Sequence, residues 1–413
     1  MIQERNGGIT LSKTFCPLPW THLATHPHGA VTLCCESDMT NRASDSQNAN
    51  KDYQTFHTTE YDLNRIMNSD LFKEVRMQML NGEEPSVCSK CYKYESMGNG
   101  SKRTIELERL DYSLEDAIID TNFDGHIDHT NFEFIELRLG NHCNLACRSC
   151  NPFSSTKWIK DWEKLHGGTP IKQNLFNWPL DEKFWDSLKK HCKKIKHLYI
   201  NGGEPLLIDK HKHFLQFLVD NGYAENIELT YSTNSTIIDE SYVDIWREFK
   251  YVDFLLSIDD IQERNEYLRY PSNWDKTIEA LKWFSNLYKY EDRGEHRLRS
   301  RIMQTVSIMN IYYVKEAQDF FKKLNLRVDH NFVHDPRHYN AVNLPPYAKQ
   351  KVLDKLVNTP LHSRFQNFLN IDNNPSYFNE FFEVNNKLDE IRKESFKHVF
   401  GEWHEILRGK NDY

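Results

Sequence analysis

The sequence predicts an α/β chain whose centre is a parallel sheet or barrel of six strand-helix units, with a small cysteine-rich domain before it and a helical tail after it. Three observations carry this expectation. From Phe132 onward short β-rich runs alternate with amphipathic helices. Of the nine cysteines, five lie before residue 100 and three within Cys143–Cys150. Beyond Leu344-Pro345-Pro346 the apolar residues recur only at helical spacing. A chain of 413 residues, 39% hydrophobic and 13% aromatic, is too long for one small core and rich enough to bury a large one. The expected boundaries are 1–100 for the cysteine-rich domain, 101–131 for a linker, 132–340 for the barrel and 341–413 for the tail.

The bulk properties exclude some partners. Lys plus Arg number 52 against 60 Asp plus Glu, a net charge of −8, and no basic tract stands out, so nucleic acid is not expected. No run approaches the roughly 20 apolar residues that cross a bilayer, and Met1–Gly8 lacks the apolar core of a signal peptide. A cytoplasmic location follows as the expectation, and there cysteines serve as metal ligands or buried thiols before they serve as disulfides.

In the N-terminal domain, Trp20–Thr25 and Ala30–Cys34 alternate on either side of Pro27-His28-Gly29, the pattern of a β-hairpin. Cys16 precedes the first strand and Cys34 closes the second. Cys35 must point to the opposite face from Cys34, so only one of the two can ligate without distortion. A helix over Leu71–Leu80 stops at Asn81-Gly82 and leads to Cys88-Ser-Lys-Cys91. Two thiols from the hairpin and two from this knuckle make a four-thiolate site, whose spacing suits zinc and iron-sulfur alike. The stretch 36–66 is polar and reads as a surface excursion. A helix over Leu114–Ile119 is expected in the linker, and Asp120-x-Asn122-x-Asp124-Gly125 reads as a turn, since the twelfth position of a calcium loop would be Asn131 instead of Glu.

The barrel opens with Phe132–Leu139, then Gly140-Asn141 and Cys143-Asn-Leu-Ala-Cys147-Arg-Ser-Cys150. Three thiols in eight residues can face one locus, one ligand short of a closed tetrahedral site. A zinc knuckle completed by His142 or a remote cysteine fits this spacing, and so does a four-iron cluster with one iron left open. Ser154 or Ser155 caps a following helix through Trp158 and Trp162. The next carries Phe184, Leu188 and Cys192 at i, i+4 and i+8, which makes Cys192 a buried thiol. The second strand, Ile195–Ile200, runs into Asn201-Gly202-Gly203-Glu204-Pro205, where two glycines allow close backbone approach and Glu204 can accept from an ammonium group. Strands over Ile227–Tyr231 and Tyr251–Leu256 end in Ser232-Thr-Asn234 and Ser257-Ile-Asp259, clusters that helix capping would also explain. Strands over Arg301–Ser307 and Leu326–Val333 complete six. The last leads to His334, Arg337, His338 and Tyr339, which either meet substrate or pack as ordinary loop residues. His211 and His213, two apart on a helix, cannot share a metal there. The tail, with Val352, Leu353, Leu356 and Val357 in one helix and Phe396–Leu407 in another, either caps the open side of the barrel, completes its core or binds a partner protein, and its abundance of Asn, Lys and Glu is most simply a solvated face.

Cys-x3-Cys-x2-Cys followed one unit later by Gly-Gly-Glu-Pro resembles the radical S-adenosylmethionine (SAM) superfamily. The resemblance implies an open partial (β/α)6, TIM-like barrel in which Cys143, Cys147 and Cys150 hold a [4Fe-4S] cluster and SAM occupies the fourth iron. It further implies SAM contacts from Gly202, Gly203, Glu204, Ser232, Asn234, Ser257, Asp259 and Arg269, with the arginine on the SAM carboxylate. Ser149 stands where the family often has an aromatic residue. Cys16-x12-Gly29-x4-Cys34 with Cys88-x2-Cys91 resembles the twitch domain, the shorter relative of SPASM, which implies one auxiliary [4Fe-4S] cluster on Cys16, Cys34, Cys88 and Cys91. Family members usually carry that domain after the barrel; here it comes first. Such relatives often oxidise or crosslink peptides, and some oxidise small alcohols or sugars, with flavodoxin- or ferredoxin-type proteins as electron donors. A zinc-stabilised, non-catalytic binding scaffold is the alternative of another class.

Overall fold

The computed structural model describes residues 13–37, 58, 62–168, 171–287, 297–371 and 374–409. The expectations for Met1–Gly8 and for most of the polar stretch 36–66 lie outside these residues. The eight strands are β1 (His22–Thr25), β2 (Val31–Thr32), β3 (Phe134–Leu139), β4 (His197–Gly202), β5 (Glu228–Thr233), β6 (Tyr251–Leu256), β7 (Leu298–Val306) and β8 (Arg327–Phe332). The last six fall on the six expected barrel strands, with β6 matched at both ends and no end displaced by more than three residues. The chain forms two compact units: Met1–Gly140, Asn174–Ile200 and Lys210–Glu228 in the first; Asn141–Gln173, Asn201–Asp209 and Leu229–Tyr413 in the second.

In the first unit the strand order is β2-β1-β3-β4. The hairpin is antiparallel, with Ala24 opposite Thr32 and Thr25 opposite Val31. Its first strand begins two residues later than expected, because Pro17 and Pro19 start a helical turn, Leu18–Thr21, that absorbs Trp20. Strand β1 is buried along its whole length and pairs in parallel with β3, His22 opposite Phe134 and Ala24 opposite Glu136. The helix Asp70–Leu80 buries Leu71, Phe72, Val75 and Met79. It also buries Arg76, whose guanidinium donates to the carbonyls of Pro19, Met67 and Gly125.

The linker is more structured than its sequence suggests. Besides the expected helix, Leu114–Asp120, it holds a helix Lys102–Arg109, and Ser101 and Ser113 close a capping box on each. Asp120–Gly125 is a turn, bridged by Thr121 and Ile127. Cys192 is buried and donates to the Leu188 carbonyl at 3.1 Å. Its helix ends at Lys189, so the thiol folds back into the core from the segment beyond instead of lying on the helix face.

In the second unit the order is β5-β6-β7-β8, and β6, β7 and β8 run parallel, with Leu256 opposite Ile302 and Ile302 opposite Val328. Of the roles open to the tail, completion of the core is the one seen, and its polar residues do not make it chiefly a solvated face. Phe365, Phe381, Phe396, Phe400 and Trp403 join Val306, Ile308, Ile311 and Val314 in one apolar core. Trp403 stacks on Tyr312 at 4.8 Å and donates its indole N–H to the Ile308 carbonyl at 2.7 Å. The expected final helix divides at Phe400 into Phe396–Val399 and Gly401–Leu407. Two further helices, His362–Leu369 and Ser376–Arg392, went unread in the sequence because Asn, Lys and Glu dilute their apolar stripe. Among the described residues no helix is long and apolar enough to cross a membrane.

Candidate functional site

The loop that follows β3 is fixed by hydrogen bonds to its own neighbours. The Asn141 side chain donates to the Pro152 carbonyl at 2.9 Å, and Ser155 Oγ to the Leu145 carbonyl at 2.5 Å. Trp158 Nε1 donates to the Cys147 carbonyl at 2.7 Å. Ser155 also accepts from the Lys157 amide, which makes it the cap expected from sequence. Cys143, Cys147 and Cys150 are free, partly buried thiols; Cys143 acts electrostatically on Cys147, and both act on Cys150. Burial raises all three, Cys147 to about 11 and Cys150 to about 12, while Arg269 pulls each of them down. Cys143 Sγ accepts from the Leu145 amide at 3.5 Å and from Asn234 Nδ2 at 3.6 Å, the donors a thiolate ligand requires. Ligation would expel the thiol protons that burial now retains.

The Gly-Gly-Glu turn leaves β4 directly beneath this loop. The Glu204 amide donates to the His142 carbonyl at 2.7 Å. A Cβ on Gly203 would collide with that same carbonyl oxygen, so only glycine permits the approach. The Glu204 carboxylate points inward and is fully buried. It accepts from the Leu206 amide at 3.2 Å, Thr233 Oγ1 at 2.8 Å and the Asn234 amide at 2.7 Å. Burial raises its pKa to about 7 against those hydrogen bonds. Asn234 donates in turn to Asn144 Oδ1 at 2.8 Å and so ties the end of β5 to the cysteine loop.

Asp259 and Arg269 form a buried pair, Nη1 to Oδ2 at 2.9 Å. Asp259 Oδ1 accepts from the Thr305 amide at 2.9 Å, and its backbone carbonyl from Gln304 and Asn310 at 2.8 and 2.7 Å. Arg269 Nε is buried and has no hydrogen-bond partner among the described residues. Burial opposes the charge of Arg269, but Cys147 and Asp259 outweigh it and raise its pKa. The second unit thus brings Cys143, Cys147, Cys150, Gly203, Glu204, Asn234, Asp259 and Arg269 to one place. Gly202 takes φ +140° at the end of β4, Ser232 lies within β5, and Ser257 reaches the Thr233 carbonyl through its amide at 2.8 Å. Arg269 departs from the strand-end pattern and closes the helix Gln262–Leu268.

In the first unit, Cys16 has Cys88 and Cys91 among the charges acting on it, and Cys34 has Cys16 and Cys91. Burial is the largest influence on both thiols and raises them. Cys35 instead stands among Glu136, Lys102 and Arg138. Among the described residues no three His, Cys, Asp or Glu side chains close in as ligands of one metal ion. A zinc ion would need its sulfurs about 2.3 Å from a single point.

Arg337 donates to the Tyr377 hydroxyl at 2.9 Å, His338 pairs with Glu380 at 3.3 Å and Tyr339 is buried. Arg337 and His338 therefore pack on the helix Ser376–Arg392, as ordinary loop residues would. Sequence reasoning missed Arg148, buried between two candidate ligands, and Arg392, which donates to the Ala146 carbonyl at 2.8 Å. An arginine inside a run of thiols was the one local signal for the first; the second had none.

A family model described as the Radical SAM superfamily matches residues 137–291, and one described as the SPASM iron-sulfur cluster-binding domain matches residues 16–92. No curated protein matches the chain. Among solved structures, anSMEcpe with bound AdoMet and a Kp18Cys peptide is 19% identical, with a TM-score of 0.38, over 57% of this chain and 61% of that one. SuiB of Streptococcus suis bound to S-adenosylmethionine is 15% identical, with a TM-score of 0.36, over 71% and 62%. SuiB bound to its precursor peptide SuiA is 16% identical, with a TM-score of 0.36, over 71% and 64%. The chain therefore spans less than two thirds of each of these proteins.

Proposed function

The chain belongs to the radical SAM superfamily and carries an N-terminal SPASM iron-sulfur cluster-binding domain; on that premise, we propose that it is an enzyme that generates a substrate radical from SAM. In this reading Cys143, Cys147 and Cys150 hold a [4Fe-4S] cluster, and Cys16, Cys34, Cys88 and Cys91 hold an auxiliary one. SAM is received by Gly202, Gly203, Glu204, Ser232, Asn234, Ser257, Asp259 and Arg269. When bound, the reduced cluster and SAM supply hydrogen-atom abstraction through a 5'-deoxyadenosyl radical.

The observation that carries the reading is the meeting of thiol loop and Gly-Gly-Glu turn, with Glu204 N–H on the His142 carbonyl and Asn234 on Cys143. The chain's own residues then have defined tasks. Leu145 and Asn234 donate to Cys143 and favour its thiolate. Glu204 locks the turn to β5 through its buried carboxylate and brings backbone groups of the turn to face the ligand. Arg269 lies beside Cys143, Cys147 and Asp259. Its buried, unpartnered Nε–H is a donor suited to a carboxylate such as that of SAM.

The substrate class we propose is a peptide, with a two-electron oxidation or a crosslink assisted by the auxiliary cluster and electrons drawn from a flavodoxin- or ferredoxin-type protein. This rests on the pairing of the two domain models in one chain. The test is anaerobic reconstitution followed by reduction with SAM. Wild type should release 5'-deoxyadenosine and Cys147→Ala should not; equal release from both would end this assignment. Oxidation of a small alcohol under conditions where offered peptides neither bind nor change would replace the peptide reading.

A further inference from the structure

The cysteine loop is gripped from two sides by residues far along the chain. On one side is the strap Tyr267–Tyr270. The Tyr270 carbonyl accepts from the Ala146 amide at 2.6 Å, the Leu268 carbonyl from the Arg148 amide at 2.8 Å, and the Tyr267 carbonyl from Arg148 Nε at 3.2 Å. On the other side is the C-terminal helix Ser376–Arg392. Arg148 is buried with its guanidinium 3.6 Å from the centre of the Tyr267 ring. It donates to Asn385 Oδ1 at 2.8 Å, Asp389 Oδ1 at 2.5 Å and Glu394 Oε2 at 2.8 Å. The Tyr267 hydroxyl closes the circuit, donating to Asp389 and accepting from Asn385, each at 2.8 Å.

Arg392 enters the loop itself. Its guanidinium lies 4.9 Å from the Trp158 ring centre and 4.6 Å from that of Tyr270. Nη2 donates to the Ala146 carbonyl and Nε to Asp161 Oδ2, both at 2.8 Å. Nη1 is buried, with no partner among the described residues. Trp158, on which Arg392 rests, donates to the Cys147 carbonyl. The peptide units on both sides of Cys147 are thus held, directly or through one ring, by a residue 245 positions away. Each hydrogen bond from a buried guanidinium replaces one it has lost to water, so breaking it is costly and the bond fixes the backbone it touches. A thiolate can reach a metal only as far as its backbone allows.

We propose that Arg392, with Arg148, is a positioning residue for the three-cysteine site, through which the C-terminal helix holds Cys147 in the arrangement that takes up and keeps a cluster. The inference rests on the assignment of Cys143, Cys147 and Cys150 as cluster ligands.

The experiment compares full-length wild type, Arg392→Gln, Arg392→Lys and Cys147→Ala after anaerobic reconstitution with iron and sulfide. It records total iron, the rate at which a chelator extracts it, and the change that SAM makes in the electron paramagnetic resonance of the reduced protein. In Arg392→Gln about half of the iron should be extracted about 10- to 100-fold faster than in wild type, with a smaller SAM-induced change, and Arg392→Lys should stay within about threefold of wild type. The other half should leave at the wild-type rate. Wild-type extraction and an unaltered SAM response in Arg392→Gln would overturn the inference, as would equal acceleration of all the iron, which marks a merely structural residue. If Arg392→Gln does not fold, Asp161→Ala, which removes the acceptor of Arg392 Nε and leaves the helix Ser376–Arg392 unaltered, is judged by the same outcomes. Full iron content and SAM response in Cys147→Ala would instead sink the ligand assignment and the inference with it.

Discussion

His22 shows how much one buried side chain can bind pH to stability. It is fully buried in β1, its ring 4.2 Å from that of Phe134, with Nδ1 2.9 Å from the Phe134 carbonyl and Nε2 without a partner. Burial first, then Lys102 and Arg109, depress its pKa from 6.5 to about 3. The unfolded chain therefore binds a proton that the folded chain refuses. Stability is intact above pH 6.5 and falls as the pH drops toward 3, by up to ~1.4 kcal/mol per pH unit. Between about pH 7 and pH 5 wild type should lose ~2 kcal/mol more in urea unfolding than His22→Gln, while His26 and His330, depressed likewise, contribute to both proteins. An equal pH slope in both would remove His22 from the acid sensitivity. Glu204 shows what a motif leaves unsaid about a single residue: the fold gives both carboxylate oxygens hydrogen bonds within the chain, from Leu206, Thr233 and Asn234.

At the scale of elements, the turn after β4 and the loop after β3 touch through backbone, not side chains, and this makes glycine the controlling residue. A methyl group on Gly203 meets the His142 carbonyl, which cannot rotate out of the way. Gly203→Ala should cost ~1–3 kcal/mol of local packing. Expressed as a separation of the turn from the loop, that weakens SAM binding by about tenfold or more. Calorimetric titration of SAM into the reconstituted variant checks this, with Gly100→Ala, where a Cβ meets nothing within 4 Å, as the control. Undiminished affinity in Gly203→Ala would mean that the turn does not form the SAM site. The sequence located both elements, because each follows a β-rich run and is marked by residues only a few positions apart. The C-terminal helices escaped it, since their apolar residues are too thinly spaced to stand out from a polar background.

At the scale of the molecule, the two cysteine sets fall in separate compact units, so each should keep its metal without the other. Reconstituted wild type should hold about eight irons in two four-iron clusters, and either Cys88→Ala/Cys91→Ala or Cys147→Ala should hold about four. The Cys88→Ala/Cys91→Ala protein should retain the SAM-induced spectral change and Cys147→Ala should lose it. Zinc in place of iron, or loss of all iron from either variant, would contradict two independent clusters. The same division explains why the sequence read the strands well and the tail badly. The strands are local patterns, whereas the tail acquires its role by covering the apolar surface around Val306, Ile308 and Ile311.

The sequence by itself determined which thiols can share a locus and which strand each candidate group follows, because loops of eight residues and strand ends are set by neighbours in the chain. Only the tertiary structure decided that the Glu204 carboxylate turns inward and that Arg148 is answered by Asp389. The physical reason is separation. Arg148 and Asp389 are 241 residues apart, and the pairing of buried charges at such distance is chosen by the packing that desolvates them, which no local pattern encodes.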